Sequence, residues 1–389
     1  MFQRIFKPIG NKSFFLFGPR GSGKSTYLKA QWGQDFFEIN LLLDKWERRY
    51  QREPDLLISD LKALKKQPKW VVIDEVQKIP KLLDIVHELL ETAKYKFVLT
   101  GSSARKLKRF SSNLLAGRAF HYNLFPLTAK ELGQEFNIGD VLRWGSLPSV
   151  FGTSEASKEE YLRSYTQTYL REEILQEQIV RNAVPFRSFL EIAGQENGNI
   201  INYSNIAKDV GVDTKTVISY FQVLEDTLMG FMLPAFTQSV RKSAGKSPKF
   251  YIFDLGIKRA LANEQRSNLE PRTASYGRAF EHFLILECLR LNSYTRSDYQ
   301  FYHYHTTAGG EIDLILKRGR EVHVIEIKST TKIDRLEVQK LERIAEGIKG
   351  TKLYYVSQDS VSSKVGGVNC LHWTQFLNEV FPVHQSANS

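Results

Sequence analysis

The sequence predicts an α/β chain of three folded modules joined by a helical linker, and three patterns carry that reading. An apolar stretch, Phe14 to Phe17, runs straight into the glycine-rich turn GPRGSGKST and then into a helical pattern. Residues 200–225 scan as two helices around a glycine. Further on, a long helical segment precedes two apolar strands, 311–316 and 322–328, that each carry an acid. At 389 residues the chain exceeds one ordinary core, so two to four domains are expected.

Composition narrows the class. With 42% hydrophobic and 25% charged residues the chain can bury a core, which excludes a disordered polypeptide. A formal charge of +11 favours polyanionic partners without naming one. The two cysteines, Cys288 and Cys370, form no CxxC pair, so neither a disulfide framework nor a structural zinc site is expected, and a reducing compartment fits. The N-terminus lacks a long apolar signal core, and no run reaches the roughly 18 apolar residues of a membrane span. A cytoplasmic protein without membrane contact is the expectation.

The first element, strand then Gly18-Pro19-Arg20-Gly21-Ser22-Gly23-Lys24-Ser25-Thr26 then helix, has the order of a phosphate-binding P-loop. Glycines let the backbone N–H groups turn inward on phosphate oxygens, and the helix adds its positive N-terminal dipole. Lys24 is placed between the β- and γ-phosphates of ATP, and Ser25 supplies a hydroxyl to Mg2+. A second apolar strand, Trp70-Val-Val-Ile, ends in Asp74-Glu75. Asp74 is assigned to the metal and Glu75 to the base that polarises water; an ordinary solvated strand end is the alternative. The third strand, Lys96 to Thr100, stops in Gly-Ser102-Ser103, where Thr100, ahead of Ser102, is the preferred sensor of the γ-phosphate. Arg118 precedes a strand from Phe120 to Leu127 and is assigned as an arginine finger reaching a neighbouring subunit, against the alternative of a surface salt bridge.

The segments GPRGSGKST, VVIDEVQKIP, FVLTGSSARKL, LAGRAFHYNLFPLT and WGSLPSVF together resemble the prokaryotic AAA-domain ATPases whose C-terminal part is a domain of unknown function with a restriction-endonuclease-like fold. The resemblance extends over almost the whole chain. It implies that Lys24, Ser25, Asp74, Glu75, Thr100 and Arg118 occupy the family's nucleotide positions, that ATP is hydrolysed, and that the AAA-like domain with its lid covers residues 1–150.

Residues 151–196 read as an amphipathic helical linker. Residues 197–265 read as a winged helix: helix, a turn at Gly211, a second helix from a Thr or Asp cap, then basic residues Arg241, Lys242, Lys246 and Lys249 before the strand Phe250 to Phe253. Used on DNA, this module would place Thr214, Lys215, Thr216 and Ser219 at the groove and its wing residues on phosphate. A protein-packing role is the alternative.

Residues 266–389 begin with a helix, read as amphipathic, that carries Glu281. It is followed by Glu311-Ile-Asp313, a hairpin turn, Val322-His-Val-Ile-Glu326-Ile-Lys328 and a helix from about 334. Glu326 and Lys328 share a strand face, and burying both is costly unless they satisfy each other, a metal or a phosphate. The pattern resembles the PD-(D/E)xK nucleases. Asp313 and Glu326 would then hold a second Mg2+ or Mn2+, Glu281 would support them and Lys328 would steady the water. The run Tyr302-His303-Tyr304-His305 is read as aromatic strand surface rather than a metal site, for want of a third ligand. Two functions follow: a homo-oligomeric ATPase that binds DNA and processes it, or a nucleotide-gated interaction switch with an inactive nuclease-like scaffold.

Overall fold

The computed structural model covers the 389 residues and describes all but 34, 93–94, 103–114, 116, 169–182, 238–245, 307–308, 349 and 384–389. The chain divides into two compact units, Met1–Leu127 with Asp226–Met229, and Thr128–Glu225 with Gly230–Ser389.

The first unit is built on five parallel strands, β1 (Phe14–Phe17), β2 (Phe36–Asn40), β3 (Trp70–Asp74), β4 (Lys96–Gly101) and β5 (Phe120–Asn123), in the order β2-β3-β4-β1-β5. Every residue of β1 and β3 is buried, as continuous apolar runs must be when helices cover both faces of a parallel sheet. The register sets Leu16 beside Thr100 and Ile73 beside Leu99. The carboxyl ends of β1, β3 and β4 therefore open on one edge, where loops from different parts of the sequence meet. The strand expected from Phe120 to Leu127 ends at Asn123, with one further ladder bond from the N–H of Leu124 to the Phe17 carbonyl at 2.7 Å; Pro126 beyond it has no N–H to donate.

The second unit takes in residues 128–150, which the sequence reading placed in the first domain, together with the linker, the helix pair and the C-terminal region, which it read as separate modules. A buried polar hub accounts for this. Thr128 caps the helix Ala129–Leu132, and the N–H of Ala129 donates to Glu287 at 3.0 Å. The N–H of Ser146 donates to Asp254 at 2.7 Å, and Arg290 donates to the Ser146 hydroxyl at 2.8 Å. Between them Gly145 holds φ 77°, and a Cβ there would lie 2.0 Å from Asp254 Oδ1. The segment WGSLPSVF is thus a seam within this unit.

The predicted helix pair is present as Tyr203–Val210 and Thr214–Asp226. Asn202 caps the first helix, Gly211 ends it in the left-handed conformation, and Asp213 accepts from the N–H of Thr216 at 2.7 Å to open the second. Two antiparallel strands follow, β6 (Gly230–Leu233) and β7 (Lys249–Ile252). The C-terminal sheet has six strands: β8 (Gln300–His305), β9 (Glu311–Arg318), β10 (Glu321–Ile327), β11 (Thr351–Ser357), β12 (Ser363–Val365) and β13 (Val368–His372). They run in the order β12-β13-β11-β10-β9-β8, with β10, β11 and β13 mutually parallel and the outer strands antiparallel. The helix expected from about 334 is Arg335–Ala345, and its Val338 and Leu341 pack with Ile312, Val324 and Tyr355. The helix Ala274–Thr295 differs from its expected amphipathic character. Phe283, Leu284, Ile285 and Leu286 are buried in succession, and burial on all sides is the mark of an enclosed helix, not a surface one.

Candidate functional site

The loop after β1 takes the form its glycines allow. Gly21 holds φ 73° and Gly23 φ 91°, backbone angles that residues with a Cβ rarely adopt. The helix Lys24–Trp32 then begins with no side-chain cap and no acidic residue in its first turn, among the described residues, which leaves its dipole for an anion. Lys24 is buried, and its ammonium donates to the carbonyls of Gly18 at 2.7 Å and Pro19 at 3.3 Å. The Ser22 hydroxyl is fully buried and has no hydrogen-bond partner among the described residues. Ser25 and Thr26 are exposed on the first turn, Arg20 is half-buried, and Gly18 and Pro19 are buried.

The two acids that end β3 are buried and held by neutral groups. The Thr100 hydroxyl donates to Asp74. Burial pushes the Asp74 carboxyl above its ordinary range; the Thr100 hydrogen bond opposes this, Glu75 reinforces it, and Lys24 partly offsets it. Glu75 sits at φ 59°, a left-handed conformation that costs a non-glycine residue energy and recurs at functional sites. Its carboxylate accepts from the Gln77 side-chain amide, and from the Ser102 hydroxyl at 3.3 Å. The two hydroxyls thus divide the acids between them: Thr100, the expected γ-phosphate sensor, serves Asp74, and Ser102, two residues on, serves Glu75. Gln77 was missed by the sequence reading; the signal was an amide two residues after the strand-ending acids, inside VVIDEVQ. Arg118 donates to Glu91 in an exposed ion pair within the same chain.

In the second unit Glu281, Asp313, Glu326 and Lys328 do come together, with residues that the sequence reading placed elsewhere. Asp313 Oδ2 accepts from the N–H of Ile327 at 2.7 Å, and Lys328 Nζ donates to Glu326 at 2.5 Å. The Tyr251 hydroxyl donates to Glu281 at 2.7 Å. Lys249, expected on DNA phosphate in a wing, is instead only 3% exposed, and its ammonium lies 2.7 Å from Glu311 and 3.5 Å from Glu281. It could not be buried there without such partners. Burial pushes Asp313 well above the usual carboxylate range, aided by Glu326 and Glu281, while Lys328 and Lys249 pull the other way. Burial alone would lower the Lys249 ammonium, but Glu281, Asp313 and Glu311 outweigh it and raise it. Among the described residues no three His, Cys, Asp or Glu side chains are arranged to hold a metal ion. Two ammonium groups lie against the carboxylates expected to serve a second Mg2+ or Mn2+, Lys249 at Glu281 and Lys328 at Glu326.

The remaining predicted residues fall as follows. Thr214, Lys215 and Ser219 are exposed on their helix, whereas the N–H and hydroxyl of Thr216 both serve the Asp213 cap. Lys246 is exposed, and Arg241 and Lys242 lie outside the described residues. His303 is buried and within 3.2 Å of the Ser247 carbonyl, and burial lowers it to about 4; His305 is exposed.

Comparison with known proteins follows the division of the chain. Residues 10–133 match a family described as an AAA domain, residues 127–268 one described as Domain of unknown function (DUF8612), and residues 276–376 one described as Domain of unknown function (DUF4143). An uncharacterised protein of Mycobacterium bovis is 26% identical over 320 residues, 81% of this chain and 70% of the relative. One from Haemophilus influenzae is 21% identical over 390 residues, 92% of each chain, and one from Methanocaldococcus jannaschii is 23% identical over 326 residues, 76% of this chain and 70% of its own. Among solved structures the Bacillus subtilis DNA clamp loader delta protein matches 71% of this chain and 95% of its own at 13% identity, and its TM-score of 0.24 carries no argument. Among the described residues no helix is long and apolar enough to cross a membrane. The loop, the parallel sheet and the family match together make residues 10–133 an AAA-type P-loop domain.

Proposed function

We propose that this protein binds ATP with Mg2+ in its first unit and hydrolyses it. The reading is carried by one arrangement: Asp74 and Glu75, buried at the end of β3, share a sheet edge with the loop that buries Lys24. The donor set fits the ligand. The orphaned Ser22 hydroxyl lines the loop, Ser25 and Asp74 would hold the metal, and the metal would neutralise charge on the phosphates. Lys24 exchanges carbonyl partners for phosphate oxygens, the N–H groups of the glycine loop cradle them, and Glu75 takes the proton of the attacking water. Calorimetry of the folded protein with ATP and Mg2+ should show one site per chain, and no uptake would overturn the reading.

DNA is the proposed partner. Support lies in a formal charge of +11 and in the exposed Thr214, Lys215 and Ser219 on a capped second helix, which we read as part of a winged helix. Binding should weaken steeply with salt, and ATP turnover should respond to duplex, branched or single-stranded DNA; indifference to all three with no binding at low salt would remove this part. Subunit association belongs to the same proposal. An exposed ion pair is worth little in water, so Arg118 can leave Glu91 for a neighbour's γ-phosphate. Mixing Lys24→Ala and Arg118→Ala chains should then restore part of the turnover. Buried, unpaired Cys288 and Cys370 fit action in the reducing cytoplasm.

One observation favours the switch reading for the C-terminal region. If its sheet is a nuclease-like scaffold, Lys249 occupies the ground between Glu281 and Glu311, and the region acts by docking. Nicking of DNA with Mg2+ or Mn2+ that disappears in Asp313→Ala would instead establish cleavage.

A further inference from the structure

We infer that Gln77 is a positioning residue for hydrolysis, its side-chain carbonyl oxygen holding the attacking water in place beside Glu75. The inference rests on the ATPase reading above. Gln77 is 3% exposed and lies in the 3-10 turn Val76–Lys78, directly after the strained Glu75. Its Nε2 donates to Glu75 Oε2 and, at 3.3 Å, to Ser102 Oγ, whose own proton goes to the same carboxylate oxygen. These three side chains close a triangle that fixes the amide. A carboxylate only accepts, so the nitrogen end must face Glu75 and the oxygen end must face away. That oxygen, Gln77 Oε1, is buried and has no hydrogen-bond partner among the described residues.

Buried acceptors are rarely left unmet, and a glutamine held by its nitrogen cannot turn to find a partner. Water supplies what is missing. It carries two protons, and this site offers two acceptors, the Glu75 carboxylate and Gln77 Oε1. With one proton on each, a lone pair of the water oxygen is left for phosphorus. In the step itself the water oxygen bonds to the γ-phosphorus as the bond to the β,γ-bridging oxygen breaks. ADP leaves with that electron pair, one proton passes to Glu75 and later to the product phosphate, and the other stays with the new phosphate oxygen. Gln77 is unchanged throughout.

The test uses the full chain and two variants of Gln77. Gln77→Met keeps the volume and removes both hydrogen-bonding ends. It should bind ATP, followed with a fluorescent analogue, within about twofold of the wild type, while kcat falls roughly 10- to 100-fold at unchanged KM. Nucleotide recovered from the variant after incubation should be mainly ATP rather than ADP. Gln77→Glu keeps the shape, and its introduced carboxyl reproduces the amide's donor and acceptor only when protonated. Its hydrolysis should therefore be low at pH 8 and recover towards pH 6 relative to the wild type. Wild-type turnover in Gln77→Met, a matching loss of ATP affinity, or a Gln77→Glu profile parallel to the wild type would each overturn the inference. Failure of the wild-type chain to take up ATP is a different result, and it would remove the ATPase reading itself.

Discussion

The two units each bury lysine together with carboxylates, and they do so in opposite ways. In the first, the Lys24 ammonium rests on main-chain carbonyls, and Asp74 and Glu75 are met by hydroxyls and an amide. In the second, Lys249 and Lys328 lie directly against Glu281, Glu311 and Glu326. Neutral partners satisfy the hydrogen-bonding geometry of a charge while leaving most of its field uncancelled, so the first site keeps a reason to take up a charged ligand. Direct pairing repays desolvation inside the fold, and the second cluster has less to gain from outside. Similar residue types thus make a receptive site in one unit and a self-satisfied one in the other.

The largest effect that would sharpen this contrast is expected from Lys249→Met. Taking the ammonium away from half-buried Glu281, exposed Glu311 and buried Asp313 should cost roughly 3 kcal/mol in denaturant unfolding, the low end for a broken buried pair, with ATP affinity unchanged. A variant as stable as the wild type would break the contrast. Lys24→Ala should do the reverse. Turnover should fall roughly 100- to 1000-fold, read by phosphate release, while the melting temperature moves by no more than a few degrees. Gly145→Ala probes the polar seam of the second unit: its left-handed backbone and a Cβ 2.0 Å from Asp254 Oδ1 should cost roughly 1–3 kcal/mol, with no change in ATP binding.

The smallest effect is a pH dependence. Burial pushes Glu287 from the ordinary 4.5 to about 7, against the pull of Arg290 and the Ala129 N–H. The folded state then holds this proton more tightly than the unfolded chain, so its contribution to stability is present below about 4.5 and is lost as pH rises through 7. Melting temperatures at pH 5 and 8 should therefore diverge less in Glu287→Gln than in the wild type. Equal divergence would mean that other buried acids, Asp313 and Asp254 among them, set the slope.

Much of the first unit was legible because its signals are local. Apolar runs of four residues marked β1 to the residue and the start of β3, which was read through Glu75 and closes at Asp74, and GSGKST marked the loop between strand and helix. The helix pair was readable for the same reason, through Gly211 and the Asp213 cap. Gln77 was not, since an amide in a turn means nothing until strand order brings Ser102 beside Glu75. Lys249 was misplaced because a lysine next to other basic residues reads as surface until a strand carries it inward against Glu281 and Glu311. The polar seam was hidden likewise: no spacing in WGSLPSVF reveals that Ser146 meets Asp254 and Arg290.

The sequence by itself determined the glycine loop after β1, the acids that follow the apolar run of β3 and the alternation that sets Glu326 and Lys328 on one face, because backbone conformation and side-chain alternation depend on neighbours a few residues apart. Only the tertiary structure decided which partners each charge meets. Burial and Coulomb energy depend on distances between residues far apart in the chain, as Lys249 and Glu281 are.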